Sequence, residues 1–230
     1  MRLMTEIPET AQEIVDQTWQ GGARRAAWYE QDGQRVGYRA WSEEGVLLME
    51  QALRDGVPHG RLRIWHDNGQ LCEEGWYQDG REHGQTRQYD WDGTLIGSYT
   101  MDHGTGVDLW FMRPGVLSEE RHMRDGQRHG YERWWDEDNL HVWEESHFWE
   151  GQEHGIFRRW NDAGGLARGY PRYYVRGQRV SKRQYLRAAA SDPTLPPFRP
   201  EDQAPQRSIP EDVRAKINRR DAEGAEIPES

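Results

Sequence analysis

The stretch Gly75-Trp-Tyr-Gln-Asp-Gly-Arg-Glu-His-Gly84 decides the fold, because the Asp-Gly-x-x-His-Gly string inside it recurs along the chain. Copies of this string, which are complete, near-complete, decayed or shortened, begin at Asp32, Asp55, Asp79, Asp102, Asp125, Glu150 and Arg176. The spacing of roughly 22 to 25 residues over about seven units is typical of a repeat protein, in which each unit packs on its neighbours.

A second string lies between these copies, an aromatic residue followed four residues later by Gly or Asn. It occurs as Trp41/Gly45, Trp65/Gly69, Tyr89/Gly93, Phe111/Gly115, Trp135/Asn139 and Trp160/Gly164. Asp-Gly and Asn-Gly steps supply the positive φ angles that tight hairpin turns require. Successive turns lie about 11 and 13 residues apart, which leaves strands of roughly seven to nine residues and predicts a β-meander.

The composition favours a thin fold built on aromatic rings. Leu, Ile, Val and Phe make up only about 15% of the chain, a fraction that is typical of disorder. The chain also has 12 Trp and 10 Tyr, however, and these rings bury large areas while a polar tip stays wet. We therefore predict an all-β protein, an elongated single-layer antiparallel β-meander of hairpin repeats with a short helix near each end.

Each predicted strand after a His-Gly step carries Arg at its third position and an aromatic residue at its fifth, as in Arg133 and Trp135. These positions point to the same side of a strand. The returning strands carry Glu doublets, such as Glu144-Glu145. We therefore expect Arg–Glu and Arg–ring neighbours to recur across the sheet.

The two ends differ from the repeats. Thr10-x-x-Glu13 is typical of a helix capping box, and Ser181 is a candidate N-cap for a second helix. Six prolines between Pro193 and Pro210 indicate an extended segment. The predicted organisation begins with a leader that contains a short helix (1–17), followed by the repeat sheet (18–181) and a capping helix (182–190). A Pro-rich acidic tail (191–230) with a further short helix (209–220) follows.

The segments GWYQDGREHG (75–84) and WHDNGQLCEEGWYQDG (65–80) resemble the MORN-repeat family, specifically its bacterial variant repeats. The resemblance covers roughly residues 18–186 and is strongest over 55–160. Many bacterial proteins with such repeats are described as antitoxins or immunity proteins of toxin–antitoxin systems. The resemblance therefore implies a non-enzymatic, protein-binding antitoxin that neutralises a cognate toxin.

The repeated histidines His59, His83, His129 and His154 do not predict a metal site. Equivalent positions in adjacent repeats lie two strands apart, roughly 9–10 Å, whereas zinc ligands sit about 2 Å from the metal. We expect these side chains to hydrogen-bond the local backbone instead. Because the Glu doublets recur in several repeats and no nucleophile or phosphate-binding motif is present, we predict no catalytic residue, no metal, no cofactor and no enzyme.

The aromatic column and the arginines beside it are the predicted partner-binding surface, because exposed rings near Arg are favoured at protein interfaces. The same rings have a structural interpretation, since they also hold a thin sheet together. The predicted residues are Trp65, Arg87, Tyr89, Trp91, Phe111, Arg133, Trp135, Arg158 and Trp160, with Trp110 and Trp134 nearby.

The formal net charge of −10 favours a basic protein partner, such as a toxin that binds nucleic acid. The same charge argues against nucleic acid and against a membrane surface as partners of this chain. A general scaffold, or a module that binds carbohydrate through the Trp column, is the alternative function. Cys72 is the single cysteine, and neither a signal segment nor a long apolar run is visible, so we predict a cytoplasmic protein.

Overall fold

The computed structural model describes residues 6–137 and 141–198, and this part of the chain contains 17 strands and one helix. The strands form one open antiparallel sheet in a meander, which confirms the predicted all-β class. They are β1 (Gln12–Thr18), β2 (Arg24–Gln31), β3 (Gln34–Trp41), β4 (Leu47–Arg54), β5 (Val57–Trp65), β6 (Leu71–Gln78), β7 (Arg81–Glu82), β8 (Gly84–Tyr89), β9 (Leu95–Asp102), β10 (Thr105–Arg113), β11 (Val116–Arg124), β12 (Gln127–Trp135), β13 (Val142–Trp149), β14 (Gln152–Glu153), β15 (Gly155–Arg159), β16 (Arg172–Val175) and β17 (Gln178–Val180). The chain divides into two compact units, Met1–Thr105 and Gly106–Ser230.

The Asp-Gly steps form two-residue turns in which both residues have positive φ, as at Asp79 (φ 51°) and Gly80 (φ 82°). This is the type I′ geometry, whose twist matches that of the flanking strands. The decayed and shortened copies keep it, although His103, Glu150 and Arg176 stand where Asp stands elsewhere. The glycine that follows each of them therefore carries the turn signal.

The second set of turns is longer than the sequence indicates. In the loop after β5, the His66 N–H donates to the Gln70 carbonyl at 2.9 Å, and the Gly69 N–H donates back to the His66 carbonyl at 2.9 Å. Gly69 has positive φ (83°), whereas Asn68 is not among the positive-φ residues. Here the glycine alone occupies the left-handed region, as in a hairpin with a bulge. The predicted turn at Asn139 lies outside the described residues.

The predicted N-terminal helix is wrong within the described residues, because 12–18 form strand β1. β1 pairs antiparallel with β2, with Ile14 opposite Trp28. The Glu13 carboxylate accepts hydrogen bonds from Tyr29 and, at 3.0 Å, from Arg24, so it serves a cross-strand contact rather than a helix cap. The sheet therefore begins at Gln12, within the predicted leader.

The predicted capping helix is confirmed as α1 (Lys182–Ala189). Ser181 is its N-cap and forms a reciprocal capping box with Gln184. Tyr185 on α1 is completely buried in a cluster with Ile156 and Tyr173, so the helix covers one face of the last strands. The helix predicted at 209–220 lies outside the described residues.

The N-terminal segment covers part of the first unit in a similar way. Ile7 is buried in a cluster with Ala27, Tyr29 and Trp41. It lies directly over Gly37, where a Cβ atom would come within 2.3 Å of the Ile7 side chain. Gly37 thus provides the space that lets the segment pack on β3.

Candidate functional site

The structure places several predicted partner-binding residues inside the protein, which corrects their predicted place on a binding surface. Trp135 is only 2% exposed, and the Arg–ring side of the second unit is covered in part by α1. A partner cannot reach these side chains in the folded protein, so the structural interpretation of the rings applies to them. The buried members of the predicted set are Phe111, Arg133, Trp135, Arg158 and Trp160.

A row of buried ion pairs explains how arginine side chains can lie in the interior of the protein. The Arg133 guanidinium lies between two carboxylates, at 2.9 Å from Glu120 and 2.8 Å from Glu145. Glu145 also pairs with Arg158, and both glutamates are completely buried. These four residues stand opposite one another on successive strands β11, β12, β13 and β15. The Arg–Glu neighbours predicted from the sequence are thereby confirmed.

The first unit repeats this arrangement in a more open form. Glu50 is flanked by Arg39 and Arg63, with nitrogen–oxygen distances of 2.6 Å on both sides. The side chains of Arg39 and Arg63 are 31% and 28% exposed, compared with 3% for Arg158 in the second unit. Charge pairing across strands is therefore a property of the repeat, while its burial differs between the units.

The other predicted residues remain accessible in the first unit. Trp65 and Tyr89 are half-buried, and Arg87 is exposed. Trp91 is 56% exposed at the tip of the loop between β8 and β9, where its ring stacks on His66 with centroids 4.2 Å apart. These side chains can contact a partner, but Trp91 is held by a neighbouring loop rather than by a column of rings.

A second surface, which we call the acidic aromatic face, lies on the opposite side of β10–β13 from the buried ion pairs. Strand alternation places it there, because Trp134 stands between buried Arg133 and buried Trp135. Its residues are brought together by the register, in which Trp110 faces Glu119, Glu119 faces Trp134, and Trp134 faces Glu144. The acidic aromatic face consists of Asp108, Trp110, Glu119, Glu132, Trp134, Trp143 and Glu144.

Each of the four carboxylates of this face has an arginine partner. Arg121 lies 2.8 Å from Asp108 and 3.4 Å from Glu119, and Arg128 lies 3.1 Å from Glu132. Burial nevertheless raises the pKa of Glu119 and of Glu132 above its usual value, and the neighbouring carboxylates add to this effect. Burial is the main cause of both shifts, Arg121 and Arg128 act against it, and a further cation would also favour the ionised carboxylates.

The aromatic members of the face are available for contact. Trp110 is 39% exposed, and Trp134 and Trp143 are half-buried with ring centroids 5.9 Å apart. Arg159 lies over the Trp143 ring at 5.2 Å and pairs with Glu144 at 2.8 Å. The sequence signal for this surface is the aromatic doublet, since in Trp110-Phe111 and Trp134-Trp135 the second ring is buried and the first points outward.

The repeat histidines bind the backbone, as predicted, but the backbone of the next hairpin turn rather than that of their own turn. In each case Nδ1 accepts the N–H of the first turn residue in the next repeat, so that the imidazole joins successive hairpins. Burial lowers the pKa of His129 and His154, in keeping with a neutral ring that accepts at Nδ1. The pairs are His59 with Asp79 (3.3 Å), His83 with His103 (3.3 Å), His129 with Glu150 (3.5 Å) and His154 with Arg176 (3.0 Å).

His154 illustrates why this geometry does not activate a nucleophile. Its Nδ1 is occupied by the Arg176 N–H, so in the neutral ring Nε2 carries the proton and lies 3.0 Å from the Thr194 hydroxyl. That hydroxyl in turn donates to Asp192 at 2.5 Å. A protonated Nε2 cannot accept the threonine proton, and these bonds anchor Asp192 and Thr194 instead.

One group in the described part of the chain has the residues to hold a metal. A ring nitrogen of His83, a ring nitrogen of His103 and a carboxylate oxygen of Asp102 all lie within 4.8 Å of one another. The repeat spacing does not reveal this pair, because His103 occupies a turn position of the shortened copy rather than the position equivalent to His83.

Comparisons with known proteins add little to this description. No family model matches the chain, and no curated protein matches it. A solved structure described as accessory secretory protein 1, 2 and 3 of Streptococcus pneumoniae matches with a TM-score of 0.31 and 14% identity. The match covers 45% of this chain and 21% of that chain, and similarity at this level carries no functional argument. Within the described ranges, no helix combines the length and the apolar character that a membrane crossing requires.

Proposed function

We propose that this chain is a non-enzymatic protein-binding module that captures a basic protein on the acidic aromatic face. The observation that carries the proposal is the combination of outward-facing Trp110, Trp134 and Trp143 with Glu119 and Glu132, whose pKa values are raised. The few residues that dominate the binding energy of an interface lie near its centre and are enriched in tryptophan. A lysine or arginine of the partner would favour the ionised form of these glutamates and so be attracted to them.

The charge of the whole chain supports the same type of partner. A formal net charge of −10 produces a field that accelerates encounter with a basic protein, and this acceleration weakens as salt screens the charges. Acidic inhibitors of basic proteins use this kind of steering. Together with the sequence resemblance to bacterial variant MORN repeats, it leads us to propose that the partner is a cognate toxin and that the chain acts as its antitoxin.

The experiment begins with the product of the neighbouring gene, co-expressed with the full chain and purified as a complex. After the two proteins are separated, titration calorimetry of the wild-type chain with this partner should show binding that weakens with added salt. Trp134→Ala and Glu119→Gln should each weaken it at least about tenfold, the effect of removing a typical hot-spot residue.

Trp91→Ala is the matched control, because it removes an exposed ring outside the acidic aromatic face and should leave the affinity unchanged. Failure to recover a complex with the neighbouring gene product contradicts the antitoxin proposal. Equal losses of affinity for Trp91→Ala and Trp134→Ala would contradict the assignment of the binding surface.

Carbohydrate binding is a second candidate, and the Trp134–Trp143 pair favours it. Two rings on one accessible face, beside hydrogen-bonding carboxylates, are suited to stacking against sugar rings. Quenching of tryptophan fluorescence by soluble glycans, abolished by Trp143→Ala, would support this function. Unchanged tryptophan fluorescence on addition of every glycan tested would contradict this function.

A further inference from the structure

The repeat geometry brings two imidazoles together at one place in the first unit. Each repeat histidine accepts a hydrogen bond from the first residue of the next hairpin turn, so the side chain of that residue lies beside the imidazole. In the shortened copy this residue is His103, and its ring lies 4.1 Å from the ring of His83. The corresponding residues after His59, His129 and His154 are Asp79, Glu150 and Arg176, which bring no second imidazole.

A carboxylate completes the group. Asp102 directly precedes the turn, and its Oδ1 lies 2.7 Å from Nδ1 of His103 and 3.3 Å from Nδ1 of His83. One ligand atom from each of the three residues lies within 4.8 Å of the other two. Ligands about 2.0–2.2 Å from one zinc ion lie roughly 3–3.5 Å apart, so small side-chain rotations suffice to surround a metal.

We propose that His83, Asp102 and His103 form a surface site for a divalent first-row transition-metal ion of the Zn²⁺ class. Two imidazoles and one carboxylate suit Zn²⁺, Cu²⁺ and Ni²⁺, whereas Mg²⁺ and Ca²⁺ require oxygen ligands. The side chains of all three residues are at least 38% exposed, so the remaining coordination positions face solvent.

A bound metal either replaces the 2.7 Å hydrogen bond between Nδ1 of His103 and Oδ1 of Asp102 or binds the other ring nitrogen of His103. The His103 N–H lies 3.3 Å from Nδ1 of His83, which is longer than the usual 2.9–3.0 Å, so that contact is weak. The metal either replaces it or binds the other ring nitrogen of His83.

The test is isothermal titration of the full chain with ZnCl₂ at pH 7.5, together with the visible absorption spectrum after addition of Co²⁺. The wild type should bind one equivalent of Zn²⁺ at this site. Asp102→Asn and His103→Asn should each weaken binding at least about tenfold, because loss of a ligand costs no less than loss of its supporting contacts. Asn tolerates the positive φ of position 103, and Asp102 has an 81% exposed side chain, so both variants should fold.

His129→Gln is the matched control, since it removes a repeat histidine that has no imidazole beside it in the following turn. It should bind Zn²⁺ as the wild type does. The proposal is overturned if the wild type binds no Zn²⁺, if Asp102→Asn and His103→Asn bind as tightly as the wild type, or if His129→Gln weakens binding as much as they do.

Discussion

The two carboxylates of one glutamate doublet should differ sharply in their effect on stability. Glu144 and Glu145 are adjacent on β13 but point to opposite faces of the sheet. Glu145 has a 1% exposed side chain and pairs with Arg133 and Arg158, whose side chains are 11% and 3% exposed. Glu144 has a 25% exposed side chain and pairs with Arg159, which is 47% exposed.

Glu145→Gln keeps the shape of the side chain but leaves two buried guanidinium groups without their shared counter-charge. Breaking a buried ion pair by removing one partner costs about 3–5 kcal/mol, and Glu145 serves two pairs. We therefore expect Glu145→Gln to lower the free energy of unfolding by at least about 3 kcal/mol. Glu144→Gln removes a surface pair, for which a loss of about 0–1 kcal/mol is expected.

Urea unfolding at pH 7, followed by tryptophan fluorescence and by circular dichroism, measures this difference. The slope of the transition should stay constant, so that the shift of its midpoint reports stability. Equal losses for the two variants, or a larger loss for Glu144→Gln, would refute the placement of the buried row. Glu145→Leu provides a further comparison, since it also removes the counter-charge that Arg133 and Arg158 share and should be at least as destabilising.

Three further predictions concern packing and pH. Gly37→Ala should destabilise the protein by about 1–3 kcal/mol, because its new methyl group overlaps Ile7. In an Ile7→Ala background the same change should cost less. Thermal melts of the wild type, the two single variants and the double variant measure this difference. Tyr185→Ala should cost about 3–5 kcal/mol, because it empties the fully buried site beneath α1, and a loss below about 1 kcal/mol would contradict that packing. Burial lowers the pKa of His147 to about 4, so the folded protein favours the neutral ring. That contribution, at most about 3 kcal/mol, is fully present above about pH 6.5 and is lost as the pH falls toward 4. His147→Gln should reduce the change with pH of the free energy of unfolding, measured with urea between about pH 6.5 and 4. The same pH dependence in the variant and the wild type would contradict this prediction.

The turns and the charge rows could be predicted because they depend on local chemistry. Asp79-Gly80 adopts the geometry that its residue types favour, and the alternation of Arg133 with Trp134 places them on opposite faces whatever surrounds the strand. The same reasoning could not tell which face would be covered. That depends on where Ile7 and α1 pack, which the residue pattern of the strands does not specify.

Two other differences have local causes. Thr10 and Glu13 have the spacing of a helix cap, but Ile14 and Val15 follow as β-branched residues, and pairing with β2 outweighs the capping signal. The approach of His83 to His103 depends on the shortening of one repeat, which places a histidine at a turn position. A search for equivalent histidines in successive repeats does not detect such a pair.

The central claim is that a basic partner binds the acidic aromatic face of β10–β13. Hydrogen–deuterium exchange of the full chain, with and without the product of the neighbouring gene, tests it most directly. The account predicts slower exchange in β10–β13 on binding, with the loop that carries Trp91 unaffected. An unchanged exchange pattern, or protection confined to the strands of the first unit, would contradict it.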